Sequence, residues 1–201
     1  MDSDIRTFID LARDVRSRPG GVRLVGVDGC GGAGKTTFAG RLSHALGDVP
    51  VVHTDDFASH DVPTEWWPRM LHDVIEPLLR GESASYHPYD WAARRPADIT
   101  ITVEPHEVVL VEGVGATRRA WRDRLTLRVW VDCPRDLRLA RGIERDGEEL
   151  RAFWLEWMAA EDVYVADEKP YAYADMVVDG ATSAPDPGRE YVALSGISGP
   201  R

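Results

Sequence analysis

The chain has 201 residues, of which 43% are hydrophobic and 29% charged, with a formal net charge of −10. That length suits one globular domain with a well-covered core. The acidic balance, with no continuous basic strip, argues against a nucleic-acid partner. No apolar run reaches the roughly 20 residues of a membrane span, so no membrane partner is expected. Met1 to Asp14 is acidic and polar-striped, unlike a secretory leader. Cys30 and Cys133 are too few for a disulfide framework, so a reducing cytoplasm is expected. Of the 24 cationic residues only Lys35 and Lys169 are lysines, which draws attention to position 35.

Ile5, Phe8, Ile9 and Ala12 recur at helical spacing and predict a first helix that stops at Pro19-Gly20-Gly21. Residues 22–27 read as a buried strand running straight into a glycine-rich loop, with a helix expected from Lys35 to about Leu46. Val49 to His53 predicts a short strand ending at Thr54-Asp55-Asp56-Phe57. Trp67, Met70, Leu71, Val74, Ile75, Leu78 and Leu79 define a helix, with Thr64 as N-cap and Gly81 as stop. Pro77 removes one of its hydrogen bonds. Residues 85–89 and 99–103 read as a peripheral strand pair. Residues 107–111 and 125–131 are further buried strands, 135–146 and 148–164 helices, and 175–178 a last strand. The second of those helices carries Leu150, Phe153, Trp154, Trp157 and Met158 on one face. This alternation predicts an α/β fold with a parallel sheet covered on both faces, as one domain over residues 1–180. The Pro/Gly/Ser-rich residues 181–201 read as a C-terminal tail. Ligands of such sheets bind at the carboxyl ends of the strands, where Gly29, Asp55, Glu112 and Asp132 fall.

Gly29-Cys-Gly-Gly-Ala-Gly34-Lys35-Thr36 satisfies G-x-x-x-x-G-K-[ST], with a strand before it and a helix after it. Gly29, Gly31, Gly32, Ala33 and Gly34 let the backbone curl so that successive N–H groups face phosphate oxygens. The helix N-terminus, beginning with Lys35, Thr36 and Thr37, adds roughly half a positive charge there. Lys35 then reaches the β- and γ-phosphates of ATP, and the Thr36 hydroxyl is a ligand for magnesium. Cys30 is read as a small filler. Phosphoryl transfer also needs a metal holder and a group that takes the acceptor proton. Asp55 suits the base role with a possible share in the metal shell, and Glu112 suits the magnesium shell. Asp56 and Asp132 are read as turn or cap residues, and His53 and His87 as structural.

Several segments in order resemble the uridine kinase family, within the wider group that includes pantothenate, nicotinamide riboside and phosphoribulose kinases. They are residues 27–37, Thr54-Asp-Asp-Phe57, Tyr86-His-Pro-Tyr-Asp-Trp91, Val108-Val-Leu-Val-Glu-Gly-Val114, residues 136–146 and Tyr173-Ala-Asp-Met-Val-Val178. The resemblance implies a five-stranded P-loop kinase core with a mobile lid at about 138–151. It places the acceptor-activating aspartate at Asp55 and the metal-associated glutamate at Glu112. Tyr86, Tyr89, Asp90 and Trp91 fall on the acceptor side. Arg138, Arg141 and Arg145 fall on the lid helix that covers the nucleotide phosphates, and their spacing also puts them on one helical face.

Two features depart from that family. Arg94 stands where the acceptor segment usually carries a histidine, and Asp146-Gly-Glu-Glu-Leu-Arg151 replaces a longer lid. Trp66 and Trp91 are candidates to stack on a flat acceptor, whereas Trp67 continues the apolar helix face. The expected activity is transfer of a phosphoryl group from ATP to a small-molecule hydroxyl, with uridine or cytidine the nearest precedent. Another metabolite, a nucleoside monophosphate bound with help from Arg94 and Arg95, and a nucleotide switch remain alternatives. The guanine-specific [NT]-K-x-D segment of a switch is missing, since Lys169 precedes Pro170-Tyr171-Ala172. The sequence does not specify an oligomeric state.

Overall fold

Residues 3–195 are described in the computed structural model. A strand β1 (Ser3–Thr7) precedes helix α1 (Phe8–Ser17), which Thr7 caps by accepting the Asp10 N–H at 3.2 Å. The expected helix therefore begins at Phe8, and Ile5 belongs to a strand. Then come β2 (Arg23–Asp28), α2 (Lys35–Ala45) and β3 (Val51–His53). α3 (Trp67–Met70) continues through a π-helical turn (Leu71–Ile75) into α4 (Glu76–Leu79). Pro77 explains the wider turn, because it has no N–H for the carbonyl four residues back and its ring crowds that carbonyl. No side chain caps α3 at Trp66, so Thr64 is not its N-cap. The short strands β4 (Ala84–Tyr86), β5 (Tyr89–Asp90), β6 (Arg95–Pro96) and β7 (Ile101–Val103) pair antiparallel as β4–β7 and β5–β6. The remaining elements are β8 (Val108–Glu112), β9 (Leu127–Asp132), α5 (Arg135–Asp146), α6 (Arg151–Glu168), β10 (Met176–Asp179) and β11 (Glu190–Leu194).

The sheet runs β1-β11-β10-β9-β2-β8-β3. Its five strands from β10 to β3 are parallel, as expected, while β11 and β1 extend it antiparallel at one edge. Residues 181–194, read as tail from their composition, thus include a sheet strand; residues 196–201 lie outside the described residues. Tyr191 of β11 packs with Phe8 and Phe38 at centroid distances of 5.1 and 5.3 Å. Alternate residues of each parallel strand feed two cores. Val108 and Leu110 face α1 and α2 through Leu11, Val15 and Leu42, whereas Val109 and Val111 face Met70, Val74 and Leu78. Trp66 joins this second core against Phe57 and Trp121, and Trp67 is left half-buried at its margin.

The end of β2 carries a fully buried carboxylate, Asp28. Its Oδ1 accepts the N–H groups of Gly29 at 2.7 Å and Gly115 at 3.0 Å. Its Oδ2 accepts the Thr117 N–H and hydroxyl, both at 2.8 Å, and the Tyr164 hydroxyl at 2.6 Å. The carboxylate thereby joins the glycine-rich loop, the segment after β8, and α6. Asp28→Ala would leave several buried donors unmet, at about 1–3 kcal/mol each. Urea unfolding should show a loss of at least about 3 kcal/mol; a loss below about 1 kcal/mol would mean the donors find other partners.

Candidate active site

β2, β3 and β8 end on the same side of the sheet, beneath a cleft of about 1190 Å³. The loop of residues 29–34 curls between β2 and α2 with Gly32 at φ 76° and Gly34 at φ 99°. At Gly32 a Cβ would also lie 2.5 Å from the Arg138 carbonyl oxygen, so the loop sits directly on α5. Lys35 is buried and donates from Nζ to the Cys30 carbonyl at 3.0 Å. Cys30 fits the filler reading: it is buried, and desolvation pushes its thiol up to about 12.

Thr36, in the first turn of α2, donates its hydroxyl to Glu112 Oε1 at 3.1 Å. His53 Nδ1 donates to Glu112 Oε2 at 2.7 Å. Burial alone would raise the Glu112 carboxyl, but the His53 bond, Lys35 and Thr36 outweigh it and hold the group below its ordinary range. His53 is correspondingly raised, chiefly by that bond. Asp55, in a single 3-10 turn after β3, is open to solvent in the cleft. Protein crowds the cleft floor around it, and this desolvation pushes its carboxyl up, with Lys35 opposing and Glu112 adding to the rise.

Across from Asp55 lies a group of rings. Trp91 donates from Nε1 to the Asp55 carbonyl at 3.2 Å and meets Trp157 edge-on at 5.5 Å. His60 lies 5.0 Å from Trp91 and 5.7 Å from Phe153. Arg94, Arg41, Thr182 and Ser183 also line the cleft.

No family model matches the chain. The uridine kinase of Borrelia duttonii (strain Ly) is 23% identical over 177 residues, covering 78% of this chain and 86% of the relative. That of Staphylococcus aureus (strain JH9) is 27% identical over 143 residues, covering 63% and 69%. A solved structure of a possible uridine kinase from Bacillus stearothermophilus superimposes with a TM-score of 0.63 at 25% identity, over 85% of this chain and 96% of that one. In sequence and fold the chain is similar to uridine kinase-like P-loop kinases. A putative fructose transport system kinase from Silicibacter sp. TM1040 shares the fold, with a TM-score of 0.54 at 22% identity over 80% and 87% of the two chains.

Within this uridine kinase-like site the predicted residues separate into two groups. Gly31, Gly32, Gly34, Lys35, Thr36, Thr37, Asp55, Trp91, Arg94, Glu112, Arg141 and Arg145 all line the cleft. Tyr86 does not: it is buried against Phe57 at 4.7 Å and donates its hydroxyl to Asp56 at 2.8 Å. Tyr89 bonds His60 at 3.1 Å, and Asp90 accepts the Ala93 N–H at 2.8 Å, so both build the wall from behind. Arg138 is buried beneath the loop, where it pairs with Glu161 at 3.3 Å. Arg141 donates to the Gly32 and Gly180 carbonyls at 3.2 and 2.8 Å. Only Arg145 of the three projects from α5 onto exposed surface, paired with Asp146 at 2.7 Å and over the Trp154 ring at 5.5 Å. Trp154 lies so close to α5 that a Cβ on Gly142 would come within 2.4 Å of it.

No motif marks Glu161 in the sequence, although i, i+3 spacing with Tyr164 makes a polar seam on α6. Glu161 Oε1 accepts the Gly31 N–H at 2.7 Å while its other oxygen meets Arg138. Burial raises its carboxyl against the pull of Lys35, Gly31 and Arg138. Glu161→Ala should strand the buried Arg138 charge at a cost of about 3–5 kcal/mol, read as a lower urea midpoint. An unchanged midpoint would show that the pair does not hold the loop.

Proposed function

We propose that the chain transfers the γ-phosphate of ATP, with magnesium, to a hydroxyl of a small molecule, for which a pyrimidine nucleoside such as uridine or cytidine is the nearest precedent. The reading is carried by one arrangement: Lys35 and the Thr36–Glu112 pair line the same cleft as Asp55. The curled loop and the α2 N-terminus favour phosphate oxygens. A hydroxyl 3.1 Å from a carboxylate held anionic offers the hard oxygen donors that magnesium takes, with Asp55 as a further donor. Magnesium needs few protein ligands because phosphates and water complete its shell. Bound there, it would offset charge on the phosphate oxygens.

Asp55 accepts the proton of the attacking hydroxyl, and Lys35 holds the β- and γ-phosphates. Arg145 is the lid arginine assigned to the transferred group, while Arg138 and Arg141 hold the loop in shape. The base end of ATP is assigned to the region of Arg41, Thr182 and Ser183. Cys30 and Cys133 are buried and joined by no disulfide, which supports a cytoplasmic setting, and no helix of the described residues is long and apolar enough to cross a membrane.

Purified protein should release ADP at a substantial rate only when a suitable hydroxyl compound is added. Fast acceptor-independent hydrolysis, or nucleotide binding with no transfer across a panel of nucleosides and metabolites, rules the reading out. Asp55→Asn should reduce kcat about 100- to 10,000-fold and leave nucleotide affinity intact; surviving activity would remove Asp55 from the base role. Because the Asp55 carboxyl is raised, its basic form is lost as pH falls through that raised value. The acid limb of kcat/KM should therefore lie above the ordinary aspartate value of about 3.9. A profile flat down to that value would contradict the assignment.

A further inference from the structure

Arginine supplies nearly all the positive charge of this chain, and even exposed arginines are engaged. Arg80 meets Glu82 at 2.8 Å, Arg95 meets Asp98 at 2.9 Å and Arg135 meets Asp162 at 2.7 Å. Among the described residues, two arginines have no hydrogen bond, ion pair or ring contact: Arg41 and Arg94. Both line the cleft. Arg41 stands on α2, the helix that opens with Lys35 and Thr36, where polyphosphate charge accounts for it. Arg94 stands apart from that helix, on the turn that follows Trp91.

That turn is built rather than loose. β5 and β6 pair Asp90 with Arg95, the Asp90 carboxylate accepts the Ala93 N–H, and Trp91 is tied to the Asp55 backbone. Arg94 itself stands at φ 55°, in the left-handed region that L-residues other than Asn and Asp rarely occupy. Glycine would meet that backbone demand with less strain, so the strain coincides with a guanidinium that has no partner in the protein. A guanidinium is a planar fork that suits carboxylate or phosphate oxygens. Beside it the rings of His60, Trp91, Phe153 and Trp157 form a wall that suits a flat body.

We infer that the acceptor is a planar hydroxyl compound that also carries an anionic group, a carboxylate or a phosphate monoester, and that Arg94 is the residue that selects it. This rests on the phosphotransfer reading. The anionic group does not react: the hydroxyl oxygen forms the new P–O bond, the bond to the leaving ADP breaks, and the hydroxyl proton passes to Asp55. Arg95, paired with Asp98, takes no part.

The test uses the full chain with uridine, orotidine and uridine 3′-monophosphate, which share a free 5′-hydroxyl and differ by a carboxylate or a phosphate. ADP release gives kcat/KM, and quenching of tryptophan fluorescence gives binding without turnover. At least one anionic compound should exceed uridine by about 10- to 100-fold, the range of a charge-assisted hydrogen bond, mainly through KM. Which one does so distinguishes carboxylate from phosphate. Arg94→Gly, which suits the backbone there, should collapse the ratio; Arg94→Lys should restore part of it, and Arg95→Ala should leave it intact. Equal or better binding of uridine, no binding of any of the three, or a ratio that survives Arg94→Gly overturns the inference. Anion-selective binding lost in Arg94→Gly, with no ADP release from any acceptor, would support Arg94 and reject the kinase reading instead.

Discussion

A single carboxylate with no exposure to water determines how the phosphate loop meets the rest of the molecule. Asp28 accepts hydrogen bonds from Gly29, Gly115, Thr117 and Tyr164, residues that belong to three separate stretches of chain. A buried charge is tolerable only when its lone pairs are met in this way. The bonds therefore act as a set, and the first residue of the loop cannot shift without disturbing the segment after β8. Glu112 lies at the end of that strand, so the loop and the Thr36–Glu112 pair share one anchor.

Helix α6 supplies the other half of the arrangement. Glu161, Tyr164 and Glu168 lie at intervals of three and four and share one buried face. Glu161 holds the Gly31 N–H, Tyr164 holds Asp28, and Glu168 accepts the Arg119 N–H at 2.6 Å. Phe153 and Trp157 of the same helix line the cleft against His60 and Trp91, where the acceptor is proposed to bind. The residue types that reach the phosphate loop and those that wall the acceptor are thus carried on one rigid rod, and displacement of α6 would affect both ends of the reaction together.

How much of this was legible depended on how local the cause was. The strand, glycine-rich loop and helix of residues 22–46 are set by contiguous residue types, and they fold where the pattern placed them. The carboxylates at positions 55 and 112 were readable because parallel strands all present the same end. Arg138 was misplaced because spacing puts it on a face with Arg141 and Arg145 but cannot say that α6 will cover that part of the face. Trp66, a stacking candidate by sequence, is instead buried in the core just before α3 begins, while Trp67 packs at the margin of that core. Tyr86 sits in a motif-like segment, yet strand alternation turns it inward. β11 escaped notice because five residues of weak alternation acquire meaning only beside β1, at the far end of the chain.

That last pairing closes the chain on itself. Ser3 stands opposite Leu194, and Thr7 opposite Glu190, so the two ends of the described chain are neighbours across one strand spacing. β1 pairs with no strand but β11. During synthesis β1 therefore emerges long before β11, its only strand partner among the described residues, and it must wait for every element between them to leave the ribosome. The parallel core can assemble meanwhile, but the aromatic trio of Phe8, Phe38 and Tyr191 and the cleft lining at Thr182 and Ser183 are completed only by residues that follow β10. The order of emergence therefore makes this edge of the sheet, and the cleft lining it supplies through Phe8, Glu190 and Tyr191, close after the parallel core.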